Sequence, residues 1–428
     1  MARTLWLWCG LALIARTASA QFTDTNATDT LRLTREQAVD TALKHNPQLA
    51  VAREQVEEAR AQKVTQWAIP DPTGTGEIFQ QHPANLIGIQ RTINTSLTIP
   101  FPDKIRLNYQ IGTSLVGNAQ ANYTALKQQI ASQTAQTYDS LRVALRHHGD
   151  LTESRDLSAD FLKKTQARFD AGTAPKLDVI RAQVGLAGDQ NSLIANERDI
   201  ITARASLNRL LGRNLGLPIV PADSLGVPPP LPPLGPVEQS ALAARPELVG
   251  LKAQLAGAKA TTTLAKEFWV PDLIGGVEWD FGAPDFAIGS KNPIYSYGVS
   301  MALPIFFWQH TSGDIRNSRH HERELEASYK DLVASIDQDV RLSYATAATA
   351  LQQATYLRDQ LVPSARAAYQ VASTSYGLGG SSALDVIDAR RDLVSAESQY
   401  TDALAAANQA EANLERAAAA PLSQFHGQ

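Results

Sequence analysis

The sequence predicts a membrane β-barrel continuous with a long α-helical section, built from two structural repeats in one chain of 428 residues. Three observations carry that expectation. Landmarks recur in the same order in both halves. Each half holds strand-like segments with period-two alternation, and each then enters a helical stretch far longer than a globular domain needs.

The duplication is legible at four places. Ala42-Leu43-Lys44-His45-Asn46-Pro47-Gln48-Leu49 returns as Ala241-Leu242-Ala243-Ala244-Arg245-Pro246-Glu247-Leu248, and Trp67 through Pro70-Asp71 returns as Trp269-Val270-Pro271-Asp272. Leu97-Thr98-Ile99-Pro100-Phe101 is answered by Met301-Ala302-Leu303-Pro304-Ile305. Finally "AGTAPKLDVIRAQ" is answered by "GLGGSSALDVIDAR", with Leu177 and Leu384 207 residues apart. The expected division is residues 21–213 for the first repeat, 214–236 for a connector and 237–428 for the second repeat.

Residues 1–20 have a basic start, an apolar stretch from Leu5 to Ile14 and the small-residue site Ala18-Ser19-Ala20, the pattern of a secretory signal peptide. The only cysteine, Cys9, lies inside it, so no disulfide is expected in the processed chain. Without Arg3 and Arg16 the processed chain carries 37 basic against 43 acidic side chains, and this mild acidity argues against a nucleic-acid partner. No long apolar run follows the leader, so a membrane section has to be a β-barrel.

Each repeat opens with a short helix, about Arg35 to His45 in the first, which stops where proline disfavours helix in the residue before it. A second helix then runs to about Trp67 on good helix formers. Hairpins are expected over about 72–101 and 272–305. In the second, Tyr295, Tyr297, Val299, Met301, Leu303 and Ile305 alternate with Ser296, Gly298, Ser300 and Ala302. One oily and one small or polar face results, on strands of about ten residues, enough to cross a bilayer when tilted. The same pattern also fits half-buried hairpins of a soluble domain.

Helical hairpins are expected over about 103–212 and 312–418, with tips near 172–176 and 379–382. A rod of that length is on the order of 100 Å. Gly172 and Gly379 suit helix C-termini, Pro175 the first turn of a returning helix, and Ser381 or Ser382 a cap. Each returning helix is about half the length of its rod, so a rod can be matched by two shorter helices placed end to end. "VPPPLPPLGP", within 214–236, reads as an extended connector.

With its paired "AL…NP.L" and "AL…RPEL" openings, its "LTIPF" and "ALPIF" strand ends and both tips, the chain resembles the TolC-like outer-membrane efflux family over nearly all its processed length. The resemblance implies an outer-membrane β-barrel plus long α-helical barrel: a homotrimer with a twelve-stranded barrel and a twelve-helix periplasmic tunnel. It implies a passive conduit working with a periplasmic adaptor (a membrane-fusion protein) and an inner-membrane pump of the RND type, embedded in outer-membrane lipid. Four strands per chain lead independently to oligomerisation, because eight is the smallest membrane barrel and only larger ones open an aqueous lumen.

By the same resemblance the tips ring the periplasmic mouth. Asp385 and Asp388 are the carried-over constriction, Asp178 and Tyr376 a hydrogen-bonded link, and Gly172, Thr173, Leu378 and Gly379 the adaptor contacts. Where the family has an arginine in the second tip, this chain has Ser381, and Lys176 is the candidate substitute. Helix capping is the plainer role for Asp178 and Asp385, worth about 0.3–1 kcal/mol through the helix dipole.

No cofactor, metal site or enzymatic activity is expected. His147-His148 and His320-His321 are adjacent and lack the i, i+4 spacing of two ligands on one helix face, and no G-x-S-x-G, H-E-x-x-H or P-loop occurs. The competing expectation is a soluble periplasmic coiled-coil adaptor or structural protein, which would share the helical hairpins without needing oily-faced strands.

Overall fold

The computed structural model describes residues 30–81, 88–281, 294–301 and 307–425. The expected leader and the segment Leu303-Pro304-Ile305 lie outside the described residues. A strand β1 (Leu31–Leu33) precedes helices α1 (Arg35–His45) and α2 (Pro47–Trp67), then strands β2 (Thr73–Gln81) and β3 (Gly88–Ile99). The first rod, α3 (Pro102–Asp170), returns through α4 (Lys176–Leu210), and β4 (Ile219–Pro221) follows. The second half repeats the order with α5 (Leu234–Ala244), α6 (Pro246–Lys266), β5 (Leu273–Phe281), β6 (Ile294–Met301), α7 (Phe307–Tyr356), α8 (Val362–Gly377) and α9 (Ala383–Ala418).

Local chemistry sets these boundaries. Thr34 and Gln37 form a capping box at the start of α1. The Asn46 side chain accepts from the Gln48 N–H (2.8 Å) to cap α2, with Pro47 at the first helical position where its missing N–H costs nothing. The same Asn46 donates to the Leu210 carbonyl at the end of α4 (3.0 Å). In the second repeat Arg245 takes this place, buried and donating through Nε to the Ala417 carbonyl at the end of α9 (2.9 Å). One position therefore seals both returning helices, with two different side chains satisfying the orphaned carbonyls of a helix end.

Along the rods, α2 and α4 both lie against α3, and α6 and α9 both lie against α7, so each rod is matched by two shorter helices. Extensive α3–α6 and α3–α9 packing joins the repeats. The apolar core is a string of clusters along the bundle. One gathers Ile130, Tyr138, Leu141, Leu207 and Ile219, and another Val237, Leu248, Ile336, Val340 and Leu414. Truncating any of these leucines to alanine costs about 2–5 kcal/mol.

The larger sheet is antiparallel in the order β2-β3-β5-β6, and the repeats join where β3 pairs with β5. Trp279 pairs across β5–β6 with Tyr295, and the rings stack 5.3 Å apart. Val277, Tyr295, Tyr297 and Val299 stand exposed on the sheet. No helix among the described residues is long and apolar enough to cross a membrane. At the junction of sheet and bundle, Asp272 accepts from the Phe101 N–H (3.2 Å) and from Lys104 Nζ (2.9 Å), so the residue just before β5 of one repeat anchors the start of the other repeat's rod.

Three expectations need correction. Residues 214–236 are not simply extended: β4 pairs in parallel with β1, and α5 already begins at Leu234. The second rod begins at Phe307 rather than near Ser312, and a π-turn at Leu357–Leu361 interrupts it ahead of Pro363, whereas α3 runs unbroken. Proline lacks the N–H that the α ladder needs, and the wider turn accommodates it. Pro175 is the N-cap of α4, not its first helical residue.

Candidate gate and docking tips

Both tips close in the same way. At the end of α3, Gly172 takes φ +74° and the Thr173 N–H reaches back to the Arg168 carbonyl (2.8 Å). At the end of α8, Gly379 takes φ +83° and the Gly380 N–H reaches back to the Ser375 carbonyl (2.8 Å). A side chain at either glycine would be strained in this left-handed conformation, which is why both tips place glycine there. Gly172, Thr173 and Gly379 are exposed, and Leu378 projects with 85 % of its surface free.

Asp385 is exposed and caps α9. Its carboxylate accepts from the Ser382 N–H (2.8 Å) while Ser382 Oγ accepts from the Asp385 N–H (3.2 Å). The backbone hydrogen bond from Ser382, reinforced by its hydroxyl, lowers the Asp385 pKa from the ordinary value. Asp388 is exposed one turn on, with Arg391 4.0 Å away. Asp178 lies half-buried in the first turn of α4, 3.9 Å from Arg181.

Tyr376 is buried. Its hydroxyl donates to Thr165 Oγ1 (3.5 Å), its ring lies 5.4 Å from the Phe161 ring, and the Arg168 guanidinium sits 4.4 Å above it. Within one chain, then, the Tyr376 hydroxyl is engaged with α3 and not with Asp178. Lys176 lies 5.1 Å from the Phe169 ring centroid, a cation–π contact.

Side chains that the sequence reading did not single out hold the two helical hairpins together. Arg390 of α9 pairs with Asp189 of α4 (2.7 Å) and contacts Ser154 of α3 (3.3 Å), while Ser158 donates to the same Asp189 oxygen. Higher up, Arg366 of α8 reaches Glu397 of α9 (2.5 Å) and Glu153 of α3 (3.7 Å). A cleft of about 470 Å³ between α4 and α9 is lined by Ile180, Val184, Leu384, Asp388 and Arg391. Among the described residues no cluster of three or more metal-ligand side chains occurs. His147 faces Asp402 (3.2 Å) and His321 faces Glu324 (3.3 Å) as isolated pairs.

The pattern of the outer membrane efflux protein family matches residues 38–213 and 237–420, one match per repeat. The chain belongs to that family. It is an outer-membrane protein with a helical section on the periplasmic side. Among relatives, the pyoverdine export outer membrane protein OpmQ of Pseudomonas putida is 27 % identical over 56 % of this chain, and the matched stretch spans only 50 % of OpmQ. The cobalt-zinc-cadmium resistance protein CzcC of Cupriavidus metallidurans is 23 % identical over 70 % of this chain and 69 % of its own length. The CmeC outer membrane channel of Campylobacter jejuni superposes with a TM-score of 0.78 at 18 % identity, covering 90 % of this chain and 85 % of that one. Family membership displaces the alternative of a soluble adaptor.

Proposed function

We propose that three copies of this chain close into one conduit through which solutes delivered by an inner-membrane pump of the RND type and a periplasmic adaptor leave the cell. The observation that carries the reading is the pair of unfinished edges on a single chain. The sheet ends at β2 on one side and β6 on the other, with no partner strand for either among the described residues. The helical layer ends in exposed apolar side chains too, Val184, Ile194 and Ile201 on α4 and Leu342, Tyr356 and Val371 on α7 and α8. Open strand edges and apolar stripes call for a neighbour, and opposite edges of one chain meet head to tail in a ring. Three copies give a twelve-stranded barrel wide enough for water, whereas two would fill their lumen with side chains.

The conduit performs no chemistry and takes its energy from its partners. Asp385 and Asp388, repeated around the axis, form the negatively charged constriction at the periplasmic mouth. Asp178 and Tyr376 belong to the links that hold this mouth narrow. The exposed Leu378, with Gly172, Thr173 and Gly379, meets the adaptor.

Cysteine cross-linking tests the ring, since the described residues contain no cysteine. At about 1.5 Å per residue from the tips, Val184 stands level with Val371, and Ile194 with Tyr356. Val184→Cys combined with Val371→Cys should yield a ladder that stops at three chains. A ladder that stops at two, or runs on without limit, overturns the trimer.

A further inference from the structure

Midway along the bundle, where α1, α3, α9 and the connector meet, a largely buried charge cluster takes no part in the gate or the tips. Asp139 of α3, with 1 % of its side chain exposed, faces Arg142 (2.8 Å) and Arg35 of α1 (3.4 Å). Arg35 also reaches Glu411 (3.4 Å) and Glu415 (3.9 Å) of α9, and Glu415 accepts the Leu422 N–H (3.2 Å). From the connector, Asp223 accepts from the Arg35 N–H (3.4 Å), and the Ser224 carbonyl accepts from Arg142 Nη2.

The charge count fails to close. Three carboxylates (Asp139, Glu411 and the partly exposed Glu415) share two guanidiniums (Arg35, Arg142), leaving one negative charge uncompensated if every group is ionised. Burying an unpaired charge costs several kcal/mol, so such sites keep a proton instead. The Tyr138 oxygen lies 2.9 Å from the Leu33 carbonyl and 2.7 Å from Asp223 Oδ1, so two acceptors converge on a hydroxyl with a single hydrogen. That single hydrogen is shared between β1 and the connector, so Tyr138 ties both to α3.

We propose that this cluster is a proton-sensitive clasp, which fastens the connector and the β1–β4 pair to both repeats while it holds a shared proton and loosens them when that proton leaves. Of its members, Asp223 and Ser224 lie on the segment with fewest helical constraints, so the connector is the part that detaches. Burial pushes the Asp139 and Glu411 carboxyls above their ordinary values against the pull of Arg35 and Arg142. A carboxyl that binds its proton more tightly in the folded state contributes stability at low pH, and this is lost as pH rises through the folded value. The clasp opens on the alkaline side. This inference stands apart from the conduit reading, because it concerns a single chain.

Hydrogen exchange on the full-length protein tests it, with rates corrected for the intrinsic effect of pH. The reporter is the Ala222 amide, which donates to the Leu33 carbonyl (2.8 Å); the Arg245 amide, bonded to Ala241 (3.0 Å), lies outside the cluster and serves as control. Protection at Ala222 should fall as pH rises from about 4.5, the ordinary glutamate value, by up to about tenfold per pH unit for one linked proton, while Arg245 stays constant. Glu411→Gln and Glu415→Gln each remove the excess charge and should flatten the slope. A flat wild-type profile, a matching slope at Arg245, or a wild-type slope retained in both variants overturns the clasp.

Discussion

Arg390 and Asp189 form a 2.7 Å ion pair that bridges α9 and α4, with only 12 % and 14 % of the two side chains exposed. Ser154 and Ser158 of α3 complete it, so three helices from both repeats converge on one charge pair near the tips. Breaking a buried pair strands the remaining charge, at a cost of roughly 3–5 kcal/mol. Arg390→Ala should therefore lower the urea midpoint of the solubilised protein by an amount equivalent to about 3 kcal/mol. Combining it with Asp189→Ala should cost less than the sum of the two single changes, and a strictly additive double variant would show that the pair is not coupled.

At the second tip, capping and gating are separable. Ser382→Ala removes the hydroxyl that accepts the Asp385 N–H and should cost about 1 kcal/mol while leaving ion selectivity intact. Asp385→Asn keeps an acceptor for the Ser382 N–H but removes the charge that this bond favours, so it should lower stability slightly and weaken cation preference in planar-bilayer recordings. Asp388→Ala, which removes no capping bond, should act on selectivity alone. If Asp385→Asn and Asp388→Ala both preserve the wild-type reversal potential, neither aspartate lines the constriction.

How far these features were legible follows from the range of the interactions behind them. Asn46-Pro47 and Arg245-Pro246 mark helix junctions because their effect is confined to one or two neighbours. The glycines at 172 and 379 are similarly local. Strands β3, β5 and β6 could be read because alternation is written in each one's own sequence, whereas β2 (Thr73–Gln81) alternates less regularly. By contrast, Ser154, Ser158, Asp189 and Arg390 meet across 236 residues of chain, and nothing near any of them in sequence points to the others. The β1–β4 pair joins two three-residue strands 188 residues apart, too short to carry a periodic signal. The π-turn did leave a local sign, Pro363, inside a stretch read as continuous helix.

Tyr376 separates packing from hydrogen bonding. Its bond to Thr165 is long (3.5 Å), whereas its ring is enclosed by Phe161 and Arg168. Tyr376→Phe should thus cost less than about 1 kcal/mol, and Tyr376→Ala about 3–5 kcal/mol, read from the same unfolding midpoints. A large loss in the phenylalanine variant would show that the hydroxyl, not the ring, fastens α8 to α3.

The pH dependence of stability has a definite sign. Glu397, bonded to Arg366 and near Glu153 and Asp150, has its pKa raised above the reference 4.5 because burial outweighs the attraction of Arg366. The folded protein then binds a proton that the unfolded chain has already released at the same pH. Stability contributed by this group is complete below the unfolded value and is lost as pH rises through the folded one. Asp139 and Glu411 shift in the same direction, so their contributions reinforce it. The melting temperature should accordingly decline as pH is raised from about 4.5, the unfolded glutamate value, with Glu397→Gln showing a shallower decline than wild type. A pH dependence of the melting temperature that is identical in wild type and in the glutamine variant would mean that Glu397 contributes none of it.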